Sequence, residues 1–282
     1  MKVPAGLAPL IDDGIIDEVV RSLKSGKEAT VYLVRAGGAL CCAKVYRDMG
    51  QRSFQKRSRY QEGRKVRGSR ERRAMEKSTR YGRKEQEEHW KNAEVDALFQ
   101  FSSLGLRVPK PHGYFYDVLL MALVTDADGD PAPRLGDVTL SAELAREYHE
   151  ILIRQIAGML SVGLIHGDLS EFNVLVSPDG PVIIDFPQVV NAAGNNAAFE
   201  MLERDANNIR GTLGRFAPEL LETRYAAEMW ALFKEGELRV DTPLTGRFSH
   251  AVKAADIAAV MSSIEDARAE ALKKAEMLRR GG

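Results

Sequence analysis

Residues 164–186, LIHGDLSEFNVLVSPDGPVIIDF, constrain this chain more than any other stretch. Two short apolar runs, Val174-Leu175-Val176 and Val182-Ile183-Ile184, flank a Pro178-Asp179-Gly180 turn. Asp-Gly between apolar runs is a strong short-range hairpin signal. Such a hairpin returns Asp185 to the neighbourhood of Asn173, on the loop that also carries Asp168. Three oxygen-bearing side chains then converge. A carboxylate and an amide oxygen, from Asp185 and Asn173, form the partial shell that a hard cation such as Mg2+ accepts when phosphate oxygens complete it. Asp168 is left to orient and deprotonate a hydroxyl.

The rest of the chain supplies a setting for that loop. Residues 12–24 place Ile15, Ile16, Val19, Val20 and Leu23 at helical spacing, which predicts a short amphipathic helix ended by Gly26. Residues 29–35 and 39–46 are rich in β-branched and apolar side chains, and Gly37-Gly38 between them predicts a hairpin. A helix is expected over 85–104, with Trp90, Ala93, Ala97, Leu98 and Phe101 on one face, then an extended turn at 108–111 and a buried strand at 118–124. A polar connector at 126–133 leads to a long helix at 141–162. From about 197 onward the chain reads as three or four helical pieces, the last at 252–280. The expected fold class is α+β. A strand-rich part, 1–123, faces a helix-rich part, 124–282, across a cleft.

Composition removes several classes. Of 282 residues, 40 are basic and 40 acidic, so a uniformly basic nucleic-acid coat is excluded. The two cysteines, Cys41 and Cys42, are adjacent, which excludes a disulfide-stapled fold, and no Cys/His cluster suggests zinc. The opening MKVPAGLAPLIDDG is too short and too acidic for a signal peptide, and no run approaches the ~18 apolar residues of a membrane span. A cytoplasmic protein without a membrane partner is expected. The charge balance hides one asymmetry. Residues 47–84 hold 15 Lys/Arg against 4 Asp/Glu, a net +11, with seven apolar residues. That segment buries too little to order itself alone. It reads either as a solvated charge run or as a basic arm for RNA or an acidic partner.

The spacing H-x-D-x-x-x-x-N followed by an Asp at a strand end matches the catalytic-loop and metal-loop pair of kinase-fold phosphotransferases. Such a site needs a cation on the nucleotide phosphates. Lys44, in Cys42-Ala43-Lys44-Val45-Tyr46, is the candidate. Flanked by apolar residues, it requires a partner when buried. Glu94 on the next helix is the expected one, with Glu87 and Glu88 as alternatives. The segment Ser25-Gly26-Lys27 upstream holds one glycine, and lacks both the G-x-G-x-x-G and the Walker pattern. Its place before two strands and Lys44 makes it the candidate lid on a triphosphate. The kinase-loop match implies a hinge in the strand at 118–124, with Met121 bordering an adenine pocket and the Ala122 carbonyl and Val124 amide bonding the adenine edge.

Together these segments resemble the RIO family of atypical serine/threonine protein kinases, in its first subgroup. The family's nucleotide loop reads S-T-G-K-E-A-x-V-Y, and residues 24–32 here read KSGKEATVY. The catalytic loop H-x-D-L-S-E-F-N is matched at His166 and from Asp168 to Asn173, with Ser170-Glu171 as the diagnostic pair. Ala-Pro-Arg-Leu at 132–135 matches the segment after the family's hinge. The departures are Lys24 and Ser25 in the first motif, and Asp185-Phe186-Pro187 where ordinary kinases have Asp-Phe-Gly. The resemblance implies a trimmed kinase bilobe that lacks the long activation segment. It also implies ATP with Mg2+ (or Mn2+) as cofactor, autophosphorylation on serine, weak kinase or ATPase turnover, and an aspartyl-phosphate on Asp185. Relatives act in small-ribosomal-subunit maturation, so a ribosomal RNA or pre-ribosome partner for 47–84 is implied beside protein substrates. Ala217-Pro218-Glu219 spells the end of an ordinary activation segment, but the residues before it read as a continuous helix, so it is expected to start the next helix. Two other functions share the loop chemistry: a small-molecule phosphotransferase of the aminoglycoside or choline kinase type, and a ribosome-assembly ATPase switch.

Overall fold

The computed structural model describes residues 3–26, 28–47 and 93–247. Residues through Gly246 form one compact unit. Lys27, nearly all of the basic segment 47–84, Glu87, Glu88, Trp90 and the helix expected at 252–280 lie outside the described residues.

Five strands make an antiparallel sheet: β1 (Glu18–Ser25), β2 (Ala29–Ala36), β3 (Ala39–Tyr46), β4 (Pro111–Phe115) and β5 (Val118–Ala122), in spatial order β1-β2-β3-β5-β4. The β2–β3 turn is Gly37-Gly38, with φ of 55° and 80°. Both values suit a two-residue hairpin turn that matches the strand twist. The β4–β5 turn puts Tyr116 and Asp117 in the same left-handed region, and Asp117 accepts a bond from the Tyr114 hydroxyl at 2.8 Å.

The helix expected over 12–24 is not formed. A single short helix, α1 (Ala8–Asp12), ends before Gly14, whose φ of 67° turns the chain. Residues 18–25 are strand β1 instead. The register of β1 against β2 slips twice, between Val19 and Arg21 and between Ser22 and Lys24. Each slip breaks the two-residue alternation, so Val19, Val20 and Leu23 take a spacing that mimics a helix. Pairing with β2 and β-branched side chains decide for strand. β4 was also not anticipated: Pro111 opens it, and it forms an outer edge of the sheet, where a missing N–H is tolerated.

The two faces of the sheet bury different cores. On one face α1 covers a small cluster of Leu7, Leu10, Ile16, Val34, Ala43, Val118 and Leu120. Ala29, Tyr46 and Leu119, on the other face, join the main core. Helix α2, described over residues 93–103, packs there through Val95, Ala97, Leu98 and Phe101. The main core continues into α3 (Ala142–Ser161), α4 (Ala198–Leu213) and α5 (Tyr225–Glu235). Ser141 caps α3 by accepting the Leu144 N–H at 3.2 Å, and Gly236, at φ 73°, ends α5. Strand β6 (Leu164–Ile165) pairs with β9 (Val190–Asn191). β7 (Val174–Ser177) pairs with β8 (Gly180–Ile183) in the expected hairpin, but Ser177 pairs with Gly180, so the two turn residues are Pro178 and Asp179 and Gly180, at φ 113°, already belongs to β8. Pro218 stands in the first turn of a 3-10 helix over Pro218–Glu222, following α4 rather than an extended segment. No helix among the described residues is long and apolar enough to cross a membrane.

Candidate active site

A cavity of about 650 Å3 lies between the inner face of the sheet and the β7–β8 hairpin. Lys44 projects into it from β3. Its ammonium donates to Glu94 of α2 and to Asp185 Oδ1 at 2.6 Å, and sits 5.6 Å from the centre of the Tyr46 ring. Lys44 is 8% exposed and Glu94 2%. Burial pulls the Lys44 pKa down, but the charges of Glu94 and Asp185 outweigh it and hold the ammonium above its ordinary range. Burial presses Asp185 upward, and Lys44 reverses that and keeps it ionised. Breaking such a buried pair is costly because the remaining charge has no water to turn to.

Asp185 has φ of 70°, an uncommon conformation for a residue with a Cβ. The surrounding bonds enforce it. Ile184 N–H donates to the Asn173 carbonyl at 2.9 Å, and the His166 ring meets the Ile184 carbonyl at 3.2 Å. Burial lowers the His166 pKa to about 4, so the ring is neutral. A neutral imidazole that faces a carbonyl must donate through Nε2. Its Nδ1 is then the acceptor for the Asp168 N–H at 3.3 Å. One ring thus ties the Asp168 loop to the Asp185 segment. Phe186 packs on that ring and on Phe101 of α2, with centroids 5.2 and 5.4 Å apart.

Asn173 donates its amide to the Asp168 carbonyl at 2.9 Å. That commits its nitrogen and leaves Oδ1 as the atom available to a cation. Asp168 itself is exposed, and partial burial raises its pKa against the opposing charge of Arg204. The loop is held from below by α4. Asp205, 1% exposed, accepts the Gly167 N–H at 2.7 Å and the Leu169 N–H at 2.9 Å. Asn208 donates to the Leu169 carbonyl at 2.8 Å, and Arg204 to the Gly167 carbonyl. The sequence reading missed these three. A signal was present: Asp205 interrupts the apolar face made by Leu202, Ala206 and Ile209, and a buried carboxylate needs donors.

Met121, Ala122 and Val124 line the cavity with Gly26 and Lys44, and Leu123 joins them. The Val124 carbonyl is taken by the Ala132 N–H at 3.0 Å. Ser25 is not on the cavity wall. Its hydroxyl instead accepts from Arg47 at 2.6 Å, and Arg47 also reaches Thr30 at 2.9 Å. Lys24, Arg134 and Asp137 line the cavity and were not among the expected site residues.

A buried lysine on an antiparallel sheet, paired to a helix glutamate and to an aspartate after a strand hairpin, defines a protein-kinase-like α+β fold. A solved structure shares it: the Rio2 kinase–ADP/Mg2+–phosphoaspartate complex from Chaetomium thermophilum superposes with a TM-score of 0.55 at 23% identity, covering 84% of this chain and 68% of that one. The RIO domain family model matches residues 30–226, and the chain belongs to that family. It is 32% identical to the RIO-type serine/threonine-protein kinase Rio1 of Haloferax volcanii, over 73% of this chain and 66% of that protein. It is 34% identical to the Rio1 kinase of Methanocaldococcus jannaschii, over 69% and 62%. With the human serine/threonine-protein kinase RIO1 it shares 29% identity over 77% of this chain and 37% of that protein. The chain therefore spans less than two thirds of the length of these curated relatives.

Proposed function

We propose that the chain is an ATP- and Mg2+-dependent serine/threonine protein kinase of the RIO type, which phosphorylates itself and turns over ATP slowly. The observation that carries this is the Lys44–Glu94–Asp185 cluster on the wall of a cavity that the Met121–Val124 segment also lines. ATP would lie between a strand-rich lobe, residues 1–123, and a helix-rich lobe from 124, with adenine against Met121–Val124 and phosphates toward Lys44.

The residues suit Mg2+. Asn173 has its nitrogen committed and its oxygen left over, and Asp185 is held ionised. Among the described residues no three His, Cys, Asp or Glu side chains cluster as an all-protein metal cage would. That agrees with a cation that takes one or two protein oxygens and completes its shell from phosphates and water. Bound there, Mg2+ would neutralise charge on the phosphates. Lys44 would hold the phosphates from the sheet side while keeping Asp185 in place. Asp168, exposed and outside the cavity lining, would accept the proton of the incoming serine hydroxyl. Asp205 and Asn208 would keep that loop from shifting. Asp185 is also the candidate for an aspartyl-phosphate, the species present in the Rio2 complex. The reading places the protein in the cytoplasm.

The decisive experiment follows labelled phosphate from ATP to the protein itself, to water and to an aminoglycoside. Transfer to protein supports the kinase reading. Transfer to water alone supports an ATPase switch, and transfer to the aminoglycoside supports a small-molecule phosphotransferase. Hydroxylamine then separates acyl-phosphate on Asp185, which it cleaves, from phosphoserine, which it leaves.

A further inference from the structure

The second register slip in β1 has a chemical result. Ser22 pairs with Tyr32, and a regular strand would next set Leu23 against Val31 and turn Lys24 to the opposite face. The slip sets Lys24 against Val31 instead. Val31 pairs with Lys44, and Lys44 with Leu119. Lys24, Val31, Lys44 and Leu119 thus form one cross-strand row on one face, and all four line the cavity. Two strand spacings, about 10 Å, separate the two lysine backbones. Re-aiming a side chain is a common use of a bulge beside a site.

Lys44 is satisfied by Glu94 and Asp185. Lys24 is exposed to solvent at the cavity, and among the described residues no carboxylate stands within ion-pair distance of its ammonium. Partial burial and the charges of Arg134 and Lys44 lower its pKa, and Asp185 opposes them. Lys24 and Arg134 are therefore two cations that repel across the cavity wall. An anion between them would relieve both. Arg21 and the carboxylates Glu28 and Asp137 also line the cavity.

We propose that Lys24 is a second phosphate-binding lysine, placed by the β1 bulge to hold the outer end of the triphosphate together with Arg134. The proposal rests on the ATP reading of the cleft. Phosphate oxygens between two cations form charge-assisted bonds, each worth a change of about tenfold or more in affinity.

The test measures affinities of the full chain for ATP and for adenosine, with Mg2+, for wild type, Lys24→Ser and Lys24→Arg, at several salt concentrations. Lys24→Ser is expected to weaken ATP about tenfold, leave adenosine unchanged and flatten the salt dependence of ATP binding, since one charge contact is gone. Lys24→Arg should restore most of the ATP affinity. Wild-type ATP affinity in Lys24→Ser, or an equal loss for ATP and adenosine, overturns the role of Lys24 and leaves the cleft assignment standing. A wild-type chain that binds neither ligand overturns both.

Discussion

Asp205→Asn tests whether α4 sets the geometry of the Asp168 loop. The carboxylate is 1% exposed and accepts two backbone N–H groups, from Gly167 and Leu169, at 2.7 and 2.9 Å. Burial raises its pKa from 3.8 to about 7, against the pull of those two bonds and of Arg204. Between these pH values the native state keeps a proton that the unfolded chain has released. Stability from this group is therefore full below about pH 4, falls as pH rises toward 7, and is level above. The movement from 3.8 to about 7 corresponds to roughly 4 kcal/mol. His149 and His166, each lowered to about 4 mainly by burial, work in the other direction and lose stability as pH drops below about 6.5. Both terms are common to wild type and variant, so a difference measurement cancels them. Asparagine does not titrate there. It also offers one acceptor to two N–H groups, and the buried one left over costs about 1–3 kcal/mol. Urea unfolding of both proteins from pH 4 to pH 8 should show the variant gaining roughly 4 kcal/mol relative to wild type over that range. Phosphate transfer at pH 8 should fall about 10- to 100-fold, because the residues on either side of Asp168 lose an anchor. A stability difference that is flat with pH would refute the raised carboxyl, and an unchanged transfer rate would refute the positioning role.

Asp168→Asn should lower phosphate transfer by about 10²–10⁴ while nucleotide binding stays within roughly a few-fold; near-wild-type autophosphorylation would remove Asp168 from the mechanism. Lys44→Met leaves Glu94 and Asp185 without their cation and should cost about 3–5 kcal/mol in urea unfolding. Adding Glu94→Gln should recover a large part of that loss, and a purely additive double variant would show that the pair is not coupled. Deleting residues 48–84 should reduce both self-phosphorylation and RNA affinity, since the segment carries Ser53, Ser58, Ser69, Ser78 and Thr79 among its basic residues. Wild-type RNA affinity should fall with salt at a log–log slope of about −0.7 per phosphate neutralised on single strands; unchanged incorporation and RNA affinity after deletion would leave a solvated charge run.

The β7–β8 hairpin, the β2–β3 hairpin and the long helix α3 were legible because each is specified locally. A Pro-Asp-Gly segment, a Gly-Gly turn, flanking apolar runs and an amphipathic period act over a few residues. The Lys44–Glu94 pair was legible for a different reason: a lysine between apolar neighbours on a strand has to find a carboxylate, and the next helix is where one can be.

β1 was not legible, and the reason lies in what a strand needs. Residues 12–24 carry a helical spacing, and only pairing with β2 and two register slips turn 18–25 into a strand that aims Lys24 into the cavity. Asp205 was missed because its donors are the backbone of a loop some 36 residues earlier in the chain, and backbone groups carry no sequence signature. Ser25 shares a motif with Gly26, yet its hydroxyl goes to Arg47 rather than to the cavity, a choice made by where β3 ends. By itself the sequence determined the family and the hairpins, and it picked out Lys44, Asp168, Asn173 and Asp185 as candidates, because turn chemistry and the cost of burying charge act on residue type and short spacing. The tertiary structure decided which side chains share a face, which backbone groups a buried carboxylate holds, and the left-handed turn at Asp185, because register and long-range hydrogen bonds exist only once distant segments have met.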